Sequence, residues 1–244
     1  MSKIIIITSK LSLAILSFIL LSCNNRNHHT IEGSGNTITQ KRDIQESFKG
    51  IEVSSAVEVF IEQADKTEVL VEADDNLQKS IITEVRNGVL IISRANGNFS
   101  SHKPQKVFIK APFIEELTAS SASSIKTKNT LKGENIRLDC SSAAKIEAQL
   151  AVDNIEAKSS SASKIELKGM ALNLNVDASS ASKIEADDLL ANKITAHSSS
   201  GSKISIHPIV NLKANADSGG KIEYNGNPKS IEKATSSGGD ISQE

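Results

Sequence analysis

The chain has 244 residues, 28 of them basic and 29 acidic, for a formal net charge of −1. That balance excludes the basic field a nucleic-acid binder needs, and no apolar run beyond the N-terminus is long enough to span a membrane as a helix. Aromatics are only 3% of the chain, and beyond Phe113 the sole one is Tyr224, so the C-terminal half must build a thin core from small aliphatics.

Residues 1–22 read as an export signal. Lys3 and Lys10 supply the positive start, and Leu11 to Leu21 form an apolar stretch of signal length. That stretch is shorter than the roughly 17 residues a spanning helix requires. Leu20-Leu21-Ser22-Cys23 follows the lipobox pattern, with Leu at −3, a small residue at −1 and Cys at +1. Cleavage before Cys23 would make this thiol the lipid-attachment site and the membrane a partner of the chain. It would also remove two lysines and no acid, leaving 26 basic and 29 acidic residues, net −3. Cys140 would then be the only free thiol, so no intramolecular disulfide is available. It sits where other repeats carry Ser or Ala and reads as a small buried filler.

Residues 23–30 are polar and read as a tether. His28 and His29 lack further ligands nearby, and Asn24 to His29 contains no acid, which favours the periplasmic face of an outer membrane over the cell surface.

Residues 31–113 form a β-rich head or cap. Val57 to Ile61, Val69 to Val71, Ile81-Ile82, Val89 to Ile92 and Val107 to Ile109 read as strands. Asn87-Gly88 is a two-residue hairpin signal. Asn96 to Pro104 reads as a loop. Phe48, Phe60, Phe99 and Phe108, with Phe113 at the junction, are expected to plug the open end of the C-terminal repeats.

From residue 114 to 244 one unit recurs: an aliphatic, a Ser/Ala/Gly cluster, then Lys-Ile-Glu about ten residues on. The second anchors are Ile125, Ile146, Ile165, Ile184, Ile204, Ile222 and Ile241, spaced by 21, 19, 19, 20, 18 and 19 residues. Ile136 to Cys140 and Leu174 to Ala178 alternate with period two, which is strand patterning. Leucine-rich repeats need several Leu per unit at fixed offsets, which these units lack. A third aliphatic falls at Leu131, Leu150, Met170 or Leu172, Leu189 and Ile209. Three inward strips joined by tight corners predict an all-β fold: a three-sided parallel β-helix of seven coils, about 20 residues each.

Such coils stack about 4.8 Å apart. Each Ile buried on the Ile of the next coil contributes roughly 1.5–3 kcal/mol. Ala and Ser at 143, 148, 157, 162, 181, 186 and 196 are expected to face inward and keep the core narrow. Outside, Lys145, Lys164, Lys183, Lys203 and Lys221 form one column and Glu147, Glu166, Glu185 and Glu223 another. Stacked like charges repel by about 0.9 kcal/mol in water, and the adjacent opposite column offsets this. A striped face of this kind suits a charged polymer or serves as a solvated wall that blocks aggregation; the second reading is favoured. In the last unit Asp240 replaces Lys, and Lys233 and Thr235 fall at inward positions, as in a capping repeat.

Several motifs together resemble the head GIN domain family, whose name ties it to auto-transporter adhesins. They are Gly33-Ser-Gly-Asn36, Phe48-Lys-Gly-Ile-Glu-Val53, Asn87-Gly-Val-Leu-Ile91, the Ser/Gly-rich turns before Ile, Ile222-Glu-Tyr-Asn-Gly-Asn-Pro228 and Ser237-Gly-Gly-Asp-Ile241. The resemblance covers roughly residues 31–244. It implies a bacterial lipoprotein with a right-handed β-helix and, by name, adhesion; it brings no catalytic residues. Where the family pattern has Gly in the turns, Ser120 to Ser123 and Ser179 to Ser182 carry Ser or Ala.

The function expected is a non-enzymatic, lipid-anchored module of the cell envelope, adhesin-like or structural, with a polysaccharide or an envelope protein as partner. The alternative is a polysaccharide lyase or hydrolase, since β-helices often host these. Such enzymes need converging carboxylates. Asp139, Asp153, Asp177, Asp187, Asp188 and Asp217 occupy different offsets, except Asp139 and Asp177, which share one two coils apart. His28, His29, His102, His197 and His207 form no metal set, Ser237-Gly-Gly-Asp240 is only a fragment of a calcium-binding repeat, and no cofactor is expected.

Overall fold

A computed structural model describes residues 30–101 and 103–244. Cys23, His28, His29 and His102 lie outside the described residues, as do the signal and almost all of the tether. The fold is an all-β solenoid of about 7 turns with about 19 residues per turn.

The long strands Leu131–Cys140, Lys145–Ser159, Lys164–Ala178, Lys183–Ser198 and Lys203–Ala216 pair in parallel, each with the next. One core column runs Ile125, Ile146, Ile165, Ile184, Ile204, Ile222, Ile241, as the repeat predicts. A second runs Leu117, Leu138, Ala157, Val176, Ala196, Ala214 and ends on Lys233. Here the core thins from Leu to Ala, which is how the fold dispenses with aromatic filling.

The corner before each core isoleucine is a Ser-Ala or Ser-Gly pair with positive φ: Ser161 at 53° and Ala162 at 58°, Ser180 at 51° and Ala181 at 58°. The left-handed region costs a residue with a Cβ roughly 1–2 kcal/mol. The stack offsets this by keeping the corner backbone bonded. Ala143 N donates to Ser161 O at 3.0 Å, and Ala162 N to Ser180 O at 3.1 Å. The residue after each pair points inward: Ser163 Oγ donates to Cys140 O, Ser182 Oγ to Ser159 O and Ser202 Oγ to Ala178 O, at 2.7–2.8 Å. In the last two coils Gly220 and Gly239 take this place, where a Cβ would collide with the carbonyls of Ser198 and Ala216.

Two inward assignments from the sequence are corrected. Ala143, Ala162 and Ala181 are exposed, and the buried corner residues are Ala144, Ser163 and Ser182. Met170, Leu172 and Ile209 are exposed, while Leu131, Leu150 and Leu189 are buried as expected. The reason is phase. Period-two alternation counted from Ile165 puts odd positions inside, including Ser163 and Ala171, and leaves Ala162, Met170 and Leu172 outside.

Stacked coils also occur upstream of residue 114. Gly50–Val53 and Glu58–Gln63 pair in parallel with Glu116–Ala119 and Ser124–Thr127, joined by a corner at Ser55 and Ala56 with the same positive φ. Beyond them lie Val89–Arg94 and Lys106–Ala111, again parallel. Spatial order therefore departs from chain order: the coil built from residues 50–63 sits between that of 89–111 and that of 116–127. Ile114 and Ile125 are 11 residues apart, against 10 in the later repeats, and the extra residue is absorbed at Glu115-Glu116, whose two N–H groups share the Lys49 carbonyl.

Antiparallel strands close this end. Ile81–Arg86 pairs with Val89–Arg94, Glu68–Asp74 with Lys106–Ala111, and Thr37–Arg42 with Glu68–Asp74. The hairpin turn has positive φ at Asn87 and Gly88, 52° and 78°, as a type I′ turn requires. A separate two-stranded ribbon joins Thr30–Glu32 to Asn98–Ser100, within the segment read as a loop. At the C-terminal end, Ser230–Thr235 and Asp240–Gln243 each pair on one side only. There Lys233 lies over the buried Tyr224 ring, 4.4 Å from its centroid.

The phenylalanines do not form the expected plug. Of these five only Phe48 is buried, and Phe113 is 63% exposed. Phe60 and Phe108 stack on the outer face, centroids 5.3 Å apart, because they alternate with the inward Val59, Ile61, Val107 and Ile109.

Candidate binding faces

The second side of each coil carries the Lys and Glu columns on its outer surface. Lys145 and Lys164 each bridge two coils. Lys145 reaches Glu147 at 2.7 Å and Glu166 of the next coil at 3.0 Å. Lys164 reaches Glu166 at 2.5 Å and Glu185 at 2.8 Å. Lys183 closes on Glu185. Ser205 interrupts the Glu column, so Lys203 turns to Glu223, which Lys221 also holds. Hydrogen bonds from Lys126 and Lys145 lower the pKa of Glu147. Hydrogen bonds from Lys203 and Lys221 pull the Glu223 carboxyl down to about 2. The Lys164 ammonium is raised by its bonds to Glu166 and Glu185. These charges are spent on one another, which favours the solvated-wall reading over polymer capture by free lysines. Exposed pairs contribute about 0–1 kcal/mol each.

A different groove runs along the corner after the first side. Thr118, Asp139, Ser141, Lys158, Ser160, Asp177 and Ser179 line it, with Cys140 and Ser159 at its floor. Strand register sets Thr118, Asp139, Lys158, Asp177, His197 and Asn215 in one row. Arg137 engages Asp139 at 2.7 Å and Glu156 at 3.1 Å, and Lys158 engages Glu156 at 2.7 Å. Ser141, Ser160, Ser179 and Ser199 recur beside this row, with Asp217 in their place in the next coil, so the groove offers a repeating set of donors and acceptors. Asp139 and Asp177 remain two coils apart with Lys158 between them, so they do not form a facing carboxylate pair. Among the described residues no group of three or more His, Cys, Asp or Glu could hold a metal. His197 Nε2 lies 3.7 Å from Asp217 Oδ2, an isolated pair.

Cys140 is a buried free thiol. Its column runs Ala119, Cys140, Ser159, Ala178, so the site takes only a small side chain. Burial pushes the thiol up to about 11, which makes it a poor nucleophile.

Sequence reasoning missed an asparagine ladder at another corner, where Asn173 donates to Asn154 and Asn154 to Asn135 at 2.8–2.9 Å. Its 19-residue spacing was visible in the repeat.

These features define a β-solenoid wall protein, in which long faces rather than a pocket meet the surroundings. The chain belongs to the family described as "putative auto-transporter adhesin, head GIN domain", which matches residues 47–228. A solved "putative adhesin" from Bacteroides fragilis aligns with a TM-score of 0.81 at 20% identity, covering 88% of this chain and 100% of that one. A "putative lipid binding protein" from Parabacteroides distasonis aligns at 0.74 and 22% identity, covering 88% and 100%. A "putative adhesin" from Parabacteroides merdae aligns at 0.73 and 17%, covering 88% and 99%. At these identities the likeness establishes a shared fold. No protein of curated function matches the chain.

Proposed function

We propose that this chain is a non-enzymatic, lipid-anchored module of the cell envelope that presents its solenoid wall to a polysaccharide or an envelope protein. The observation that carries the reading is the corner groove along Asp139, Lys158 and Asp177, with a serine row beside it. A groove of that kind suits a hydroxyl-rich chain bound by many weak hydrogen bonds. The family description and the adhesin-like neighbours support the reading. The lipobox at Cys23 supports an outer-membrane anchor, and the acid-free stretch Asn24 to His29 supports the periplasmic face. The lyase or hydrolase alternative loses ground because Asp139 and Asp177 do not converge.

Protease shaving of intact cells, with lysed cells as control, tests the location. Protection until lysis is expected for the periplasmic face and would direct the search to envelope partners. Loss from intact cells would place the wall outside and direct it to glycans and host proteins.

A further inference from the structure

The third side of the solenoid carries an apolar patch that the corner groove and the charge ladder leave unused. Met170 is 62% exposed, Leu172 49%, Leu190 44% and Ile209 44%. They share one shallow depression with Val152 and Ala171. Met170 and Leu190 are direct neighbours in adjacent coils, so the patch runs along the solenoid axis. Its long side chains stand on a stiff sheet whose backbone groups are paired across the coils. Asp153 and Asn192 complete its lining, and Lys168, two residues before Met170, holds Asp188 at 2.7 Å.

We infer that this side rests on a lipid bilayer, with Met170, Leu172, Leu190 and Ile209 entering the interfacial layer. The inference rests on the lipid-anchor reading of Cys23. Six residues, Asn24 to His29, separate that anchor from the first strand, which begins at Thr30. Fully extended at about 3.3–3.6 Å per residue, they reach roughly 20 Å. An anchored domain therefore meets the membrane at an effective concentration on the order of millimolar, at which a weak apolar contact is populated. The patch amounts to on the order of a few hundred Å², well short of the ~800 Å² per partner of a stable protein interface. Interfacial apolar faces enter the membrane by about 5–10 Å, within reach of side chains of this length. Neutral lipid suffices, because no Lys or Arg lines the depression to call for an anionic headgroup.

The chain has no Trp, so an introduced one reports without background. Met170→Trp, Leu190→Trp and, on the first side, the exposed Lys213→Trp are each prepared in the chain from Cys23 onward. Each is coupled through the Cys23 thiol to a maleimide lipid in phosphatidylcholine vesicles; the buried Cys140 does not compete. The expected result is a blue shift and quenching by brominated lipid for Trp at 170 and 190, with neither at 213. Equal, unshifted emission from all three overturns the proposal. So does a blue shift at 170 and 190 that grows with protein concentration without vesicles, which would assign the patch to a second copy of the chain. The anchor itself is read separately, from the mass of protein extracted from native membranes. Failure of the anchor reading is therefore distinguishable from failure of the contact.

Discussion

The Ser163 hydroxyl donates to the carbonyl of Cys140 at 2.8 Å, joining two coils inside a corner. The same carbonyl also accepts the Ser160 backbone N–H at 2.9 Å, so it keeps one partner if the hydroxyl is lost. The hydroxyl also pairs with the buried Ser159 hydroxyl at 2.9 Å, so Ser163→Ala should cost about 1–2 kcal/mol. Ser163→Val adds volume to a packed corner and should cost about 1–3 kcal/mol. Urea unfolding midpoints at constant slope check both: no loss in Ser163→Ala would contradict the hydrogen-bond account, and equal losses for the two variants would contradict the packing account.

Ala162 holds φ at 58° and is exposed, so its methyl gains nothing from burial. Ala162→Gly relieves left-handed strain and should raise stability by up to about 1 kcal/mol. Gly220→Ala is the opposite case, since its Cβ would strike the Ser198 carbonyl. It should destabilise by about 2 kcal/mol or more. Thermal unfolding of the pair gives the sign of each effect.

The Lys/Glu ladder makes stability fall in acid. Glu223 titrates at about 2 in the fold, against about 4.3 for a free glutamate. A depressed folded pKa adds stability that is full above the unfolded value and is lost as pH falls toward the folded one. The loss from Glu223 should therefore occur between about pH 4.3 and 2, with Glu147 adding in the same direction. Glu223→Gln should flatten that part of the curve and leave the neutral region less salt-sensitive. Denaturant midpoints from pH 7 to pH 2 at two ionic strengths make the test.

Cys140 should resist alkylation in the native state. With the thiol near 11 instead of about 8.5, the thiolate fraction at pH 8 drops by about two orders of magnitude, before burial adds its own barrier. Labelling at pH 8 should accelerate by at least that factor in denaturant. Prompt native labelling would mean that the corner opens.

Much of the fold was legible because a solenoid repeats its chemistry with its geometry. The isoleucines at 146, 165, 184 and 204 stack in the register their spacing predicts. The charge columns pair as neighbours for the same reason. Inward and outward assignments failed where hydrophobicity was followed instead of alternation. Met170, Leu172 and Ile209 are apolar and exposed, and Ser163 and Ser182 are polar and buried. The candidate groove was half visible: the sequence placed Asp139 and Asp177 in one column, while the row that joins them to Lys158 and Thr118 needed the strand register.

By itself the sequence determined the coil length, the aliphatic columns, the serine corners and the hairpin at Asn87-Gly88, all of which depend on residues within one repeat or one turn. Only the tertiary structure decided the stacking of the coils at the closed end. The chain leaves the coil of residues 50–63, builds antiparallel strands, forms the coil of 89–111 on one side of it, then crosses to 116–127 on the other. The coil of 50–63 presents two bonding edges, and local patterning does not say which edge a later segment takes. The antiparallel strands against the coil of 89–111 leave the far edge of residues 50–63 for Glu116–Ala119 and Ser124–Thr127. Pairing between segments distant in sequence made that choice.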